Sequence, residues 1–195
     1  MNTLRHFWRT TPPKLLPLAR AINRLNEGIG QLALWLVPLM VGLGVWNVIG
    51  RFLGRSVEIN LTSNALIEGQ WYLFSILFFL GAAYAFKHDE HVRVDLFYHY
   101  WSPRRRAWVN LLGTLFFLLP VCLVIIGFSW DAIVQSWKIW ETSPDPGGLV
   151  RYPIKSLIIV SFFLLIIQGL AEIIENWAKL TGHLPLEEDA TESEI

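Results

Sequence analysis

The densest group of side chains able to bind a metal or move a proton lies at His88-Asp89-Glu90-His91, followed by Arg93, Asp95 and His99. Imidazole nitrogens and carboxylates are the donors that zinc and non-haem iron accept. A His-x-x-His pair flanked by acids therefore admits a membrane-embedded metal-dependent enzyme using the His88–His91 loop. Such enzymes gather several histidine boxes, and this chain has one. The stretch reads more simply as a charged loop that satisfies itself through local ion pairs. Cys122 is the single cysteine, which rules out a disulfide framework and a Cys-x-x-Cys redox pair. His6, His88, His91, His99 and His183 all fall outside the apolar runs, so a bundle built from those runs has no axial pair for haem. The expectation is a chain that is not an enzyme and takes no cofactor and no metal, with the metal enzyme as the alternative.

The elements around these residues are unusually apolar. Hydrophobic residues make up 53% of the 195 and charged ones 16%, with a mean hydropathy of +0.42; soluble domains carry about 25% charge. Four runs, at about 29–50, 66–86, 107–130 and 154–177, each match the roughly 20 residues that cross the hydrocarbon core as a helix. Backbone groups in lipid must pair internally, which leaves helix as the only form for isolated spans. The fold class is all-α: an integral membrane protein with four transmembrane helices, plus short in-plane amphipathic helices. Residues 1–28 form a basic, partly amphipathic segment, 29–178 the membrane domain and 179–195 an acidic, disordered tail. Because about 28 polar and basic residues precede a long first run, that run is not expected to be a cleavable signal.

Charge gives orientation. Eleven basic residues precede the first run, fill the loop between the second and third, or follow the fourth; the other two loops share five. That bias places both termini inside, N-in/C-in. Tryptophans Trp46, Trp71, Trp130, Trp137 and Trp140 mark an outer interfacial belt, and Trp101, Trp108 and Trp177 an inner one. The basic N-terminus and Arg104-Arg105-Arg106 suit anionic phospholipids; nucleic acid is not an expected partner. Within 1–28, Pro12, Pro13 and Pro17 are expected to break the chain, and Leu15 to Leu25 to lie as an amphipathic helix on the leaflet.

No run has a charge at its centre. A transporter acting alone needs mid-membrane polar groups, broken helices or repeats, and here only Asn47, Gln168 and a bend at Pro120 are available. Packing surfaces are more evident. Gly42 and Gly50 share a face of the first span and suit close approach of a helix. Asn64 is the expected N-cap of the second span, with Glu68 and Gln70 in its first turns. Ser75, Ala82 and Ala85 form a small-residue stripe. Val92–Trp101 reads as an in-plane helix, and the helical pattern of the third span persists through Trp137 and Trp140. The run Ser143-Pro144-Asp145-Pro146-Gly147-Gly148 makes a tight external turn. Ser161, Gln168, Glu172 and Glu175 share one face of the fourth span, which must then face protein.

Three motifs in order carry a resemblance: Glu68-Gly69-Gln70-Trp71-Tyr72 opening the second span, Gly81-Ala82-Ala83 near its exit, and His91-Val92-Arg93-Val94-Asp95 after it. Over roughly residues 29–178 the chain resembles the small, Q-type membrane subunit of tripartite ATP-independent periplasmic (TRAP) transporters. Ser63-Asn64-Ala65-Leu66-Ile67-Glu68 and Asp145-Pro146-Gly147-Gly148-Leu149 resemble the mannitol/chloroaromatic branch, which includes 2-oxo acid carriers. The resemblance implies a bacterial inner-membrane importer of organic acids driven by sodium. In it a periplasmic substrate-binding protein captures the solute, a large membrane subunit moves it by an elevator motion, and this chain braces the large subunit's scaffold. The residues expected at subunit contacts are Glu68, Gln70, Trp71, Gly81, His91, Arg93, Asp95, Asp145, Gly147, Gly148 and Gln168. The segment from Trp130 to Gly148 is the candidate for touching the binding protein.

Overall fold

Runs of apolar residues bounded by proline and glycine become helices throughout the computed structural model, which describes residues 2–59, 61–89 and 100–186, with side chains from residue 14 onward apart from Val57. Helix α1 is Asn2–Leu34, α2 Leu36–Val57 and α3 Asn64–Lys87. Then come α4, Pro103–Gly113, a π turn at Thr114–Leu118, α5, Leu119–Lys138, and α6, Tyr152–Leu180. The described residues contain no strand beyond one antiparallel bridge between Thr142 and Val150. Four helical stretches are long and apolar enough to cross a membrane: Lys14–Ser56, Asn64–Lys87, Pro103–Lys138 and Tyr152–Leu180.

Helix α6 is the axis of the fold. It packs against α1, α3 and the continuous α4–π–α5 rod, while α2 leans mainly on α3. The reason lies in side-chain size. Ser161, Gly169, Ala171 and Ala178 are small and buried on α6, so neighbouring backbones approach closely where dispersion rather than water exclusion drives association. Leu16 and Ala19 of α1 meet Ala171, Ile174 and Ala178 in a cluster that Leu15, Ile22 and Leu184 flank.

That cluster corrects the reading of the N-terminal segment. The helix does not break at Pro12, Pro13 and Pro17 but runs through all three. Leu15, Leu16, Ala19 and Ile22 pack at α6 while Leu18 and Leu25 stay exposed, and this tertiary packing outweighs the lost backbone bonds. The interruption occurs at Trp35, which closes a short turn by donating its backbone N–H to Leu32 O at 3.2 Å. Pro38 explains the place: its ring cannot sit against the carbonyl of Leu34 in a regular helix. Pro120 acts likewise, but there the helix widens rather than breaking. Leu119 N donates to Thr114 O, five residues back, and the π turn absorbs the proline. The in-plane helix expected at Val92–Trp101 lies almost wholly outside the described residues.

The glycine expectations change as well. A side chain at Gly42 would meet nothing within 4 Å, whereas one at Gly44 would strike Gln70, and Gly50 and Gly54 lie against the backbone of Leu61 and Ile59. Close approach of α2 to α3 and its loop thus rests on Gly44, Gly50 and Gly54.

Candidate functional site

The acidic residue opening α3 lies under a lid made by the loop between α5 and α6, called outer, and the opposite end inner, after the sides that the charge bias predicts. Glu68 is 2% exposed. Its carboxylate accepts a hydrogen bond from Ser143 Oγ and another from Leu149 N at 2.5 Å, with the Arg151 charge nearby. Asn64 and Tyr72, one turn to either side, make the same connection: Asn64 Nδ2 donates to Pro146 O at 3.0 Å and Tyr72 Oη to Val150 O at 2.8 Å. Residues four apart share a helix face, so Asn64, Glu68 and Tyr72 form one polar stripe that grips residues 143–150. Asn64 is therefore not the N-cap. Ser63 holds that position without a side-chain bond, and the Asn64 amide is spent on the loop.

The loop is shaped to be gripped. Lys138 ends α5, and Ser143 N donates to Leu149 O at 2.9 Å while Arg151 N donates to Glu141 O at 2.8 Å. Inside that ring Gly148 N donates to Asp145 O at 3.0 Å. Gly147 adopts φ +71°, open to glycine without steric penalty. Gly148 is needed for another reason: a Cβ there would fall 2.5 Å from Ser143 Cβ and 2.8 Å from Glu68 Oε2. Below the ring, Glu141 accepts from Ser136 Oγ at 2.6 Å and pairs with Lys155. The Lys155 bond, then the Ser136 bond, hold the Glu141 carboxyl below its ordinary range. Trp137 and Trp140 pack edge-on against Tyr152 at 4.5 and 5.2 Å.

A second polar group closes the other end of the bundle. Asn23 and Asn26 of α1 meet Gln168 and Glu175 of α6 in a ladder. Asn26 Nδ2 donates to Gln168 Oε1 at 2.7 Å, Gln168 Nε2 to Asn23 Oδ1 at 2.9 Å and Asn23 Nδ2 to Glu175 Oε1 at 2.6 Å. A carboxylate only accepts, so Glu175 sets the direction of every amide in the chain. The free end is Asn26 Oδ1, buried and without a partner among the described residues. Beside it Glu27 binds both Lys87 and His88, the latter at 2.8 Å, which ties α1 to the end of α3.

The expected contact residues thus divide. Glu68, Asp145, Gly147 and Gly148 come together in the outer clasp, where Glu68 pairs with the loop. Gln70 rests on Gly44 of α2 and, with Trp71, lines a groove of about 490 Å³ beside Met40 and Phe74. Trp71 is 58% exposed. Gly81 stands apart, with open space where a side chain would go. Gln168 belongs to the inner ladder. His91, Arg93 and Asp95 lie outside the described residues. Asn23, Asn26, Asn64 and Tyr72 were not singled out as contacts, although Asn23 with Asn26 on α1, and Asn64 with Tyr72 on α3, are spaced to share a helix face. For the metal reading, His88 is spent on Glu27, and no group of three or more potential ligands occurs among the described residues.

Residues 40–179 match the model of the DctQ component of tripartite ATP-independent periplasmic transporters. The chain belongs to the DctQ family. The match spans most of α2, all of α3, α4 and α5, and α6 as far as Lys179, so both the outer clasp and Gln168 fall inside it. No curated protein and no solved structure matches the chain significantly. As a DctQ component it is a multi-pass membrane part of a TRAP transporter, a system in which such a component works with a large membrane subunit and a periplasmic binding protein.

Proposed function

We propose that this DctQ chain is the small, non-catalytic subunit of a sodium-coupled importer of organic acids, of the mannitol/chloroaromatic branch, in a bacterial inner membrane with both termini cytoplasmic. Its work is mechanical. An elevator transporter needs one body that stays in place while another slides, and this chain braces the static scaffold of the large subunit. The family membership carries the reading, and the physics of the chain agrees with it. The spans are free of charge at their centres, and the polar groups within the bundle fasten helix to loop and helix to helix. Interfacial tryptophans and the Arg104–Arg106 cluster resist displacement in the bilayer, with anionic lipids as counter-charge. The outer clasp, facing the periplasm in this orientation, is the surface offered to the binding protein.

The test is uptake into proteoliposomes. Large subunit, this chain and binding protein together should accumulate a 2-oxo acid when a sodium gradient is imposed. Omitting this chain should abolish uptake, and this chain alone should pass nothing. Solute flux through the chain alone, or full uptake without it, would end the proposal.

A further inference from the structure

A groove of about 440 Å³ lies between α5 and α6, lined by Trp130, Ile133, Val134, Trp137 and Lys138 of the first and Ile159 of the second. Residues 130, 134, 137 and 138 fall on one helix face, so the groove follows α5 lengthwise. From Trp130 to Lys138 is about 12 Å along the axis. Spread over that length, the volume makes a channel about 6 Å across, half the 10–12 Å diameter of a helix with its side chains. One acyl chain fits, and a second helix does not enter.

The walls are held from within the protein. Trp137 donates its indole N–H to Ser156 Oγ at 2.8 Å and packs edge-on against Tyr152 and Trp140. Its polar handle is thus spent, and the ring remains as apolar wall. Trp130 and Trp137 are both substantially exposed, while Val134 and Ile159 are half-buried.

Lys138 is the one charged lining group. It is exposed and is the last residue of α5, where the chain passes into the polar outer loop. The first acid of that loop, Glu141, is engaged by Lys155 and Ser136. Among the described residues Lys138 has no ion pair of its own. A lysine at a helix end carries its ammonium toward water, and tryptophan rings prefer that same interfacial level. The counter-anion needs no assumed protein partner. The chain has four helices able to span a membrane, and every glycerophospholipid around them carries a phosphodiester.

We propose that this groove is a binding site for one glycerophospholipid, with its phosphate on Lys138 and an acyl chain along Val134, Trp130 and Ile159. The ligand class follows from an unpaired cation standing at the mouth of a narrow apolar slot, two chemistries that one lipid molecule joins. The site needs only the membrane-spanning helices and goes beyond the importer reading. A lipid held there fills the gap beside the Trp137–Tyr152 contact and stiffens the foot of the outer clasp.

Native mass spectrometry of the full chain, stripped of lipid in detergent and titrated with dioleoylphosphatidylglycerol, tests it. The wild type should bind one copy more tightly than any further ones. Dioleoylglycerol, with the same chains and no phosphate, should bind about fivefold or more less tightly. Lys138→Gln should lower phosphatidylglycerol binding by a similar factor and leave dioleoylglycerol binding unchanged. Val134→Trp, which fills the groove, should lower both. Equal binding of the two lipids by the wild type, or wild-type binding by Lys138→Gln, would overturn the site. Competition by glycerol phosphate at the lipid's own concentration would overturn it in favour of free phosphate. A Val134→Trp chain that keeps its lipid but no longer co-purifies with the large subunit would overturn it in favour of a protein occupant. Lys138→Gln changes an exposed side chain and spares the fold, so it decides the phosphate contact even where Val134→Trp misfolds.

Discussion

The outer and inner ends of this bundle are fastened by different chemistry. At the outer end one carboxylate, Glu68, holds a loop that joins α5 to α6, using a hydroxyl and a backbone N–H as donors. At the inner end three amides pass hydrogen bonds from Asn26 to Glu175 and hold two whole helices. The first device pins irregular backbone, which cannot satisfy itself in an apolar setting. The second joins helices whose backbones are already satisfied, so it adds register rather than rescue. A subunit that serves as a brace needs both: a fixed outer face and a first helix that cannot slide along its neighbour.

Breaking the ladder should have the largest effect. Gln168 is 1% exposed and sits in the middle. Gln168→Leu leaves the buried Asn26 Nδ2 and the half-buried Asn23 Oδ1 without partners, which costs about 2–3 kcal/mol. Denaturant unfolding in detergent should show it, and Asn26→Leu combined with Gln168→Leu should recover part of the loss. A double variant that is additive would mean the amides act separately and not as a ladder.

Much of this frame was legible in the residues. Four spans followed from apolar run length, and the stripe Ser161, Gln168, Glu172, Glu175 announced a face turned to protein. What it faced was not legible. Asn23 and Gln168 are 145 residues apart, and nothing local to either names the other. Glu68 and Leu149 are 81 apart; an acid in the first two turns of a helix reads as a dipole partner, and its true donors lie on a loop that also looked complete in itself. The prolines were misjudged in a consistent way. Pro12, Pro13 and Pro17 lie in a helix held by tertiary packing, while Pro38, inside an apolar run, is the one beside the break at Trp35. Local rules give a proline's cost, and packing decides whether that cost is met by a break, a π turn or nothing.

The outer clasp yields a sharper but smaller contrast within one dipeptide. Gly148→Ala puts a methyl group against Ser143 and Glu68, so the turn must shift at a cost of about 1–2 kcal/mol. Gly147→Ala has open space around it but demands φ +71°, worth about 1 kcal/mol. Only the first should loosen the grip on Glu68, so trypsin should cut faster after Lys138 or Arg151 in Gly148→Ala than in Gly147→Ala. Equal cutting rates would mean that the carboxylate does not hold the turn.

The smallest effect is one of pH, and it is read beneath the outer ring, at Glu141. Its folded value lies below the ordinary 4.5 because Lys155 and Ser136 bond the charged form. A group depressed on folding stabilises the fold above its unfolded value, and that contribution is lost as pH falls from about 4.5 through the lower folded value. The pair is partly exposed, so the effect is modest. A reporter is built in: Trp137 packs edge-on against Tyr152 and donates to Ser156 at 2.8 Å, one turn along α6 from Tyr152 and beside Lys155. Tryptophan emission of the wild type should begin to change below pH 4.5, and Glu141→Gln should show the altered emission already at pH 6 with a flatter acid limb. Superimposable acid limbs would place the hold on the outer ring elsewhere, on Glu68 and its donors alone.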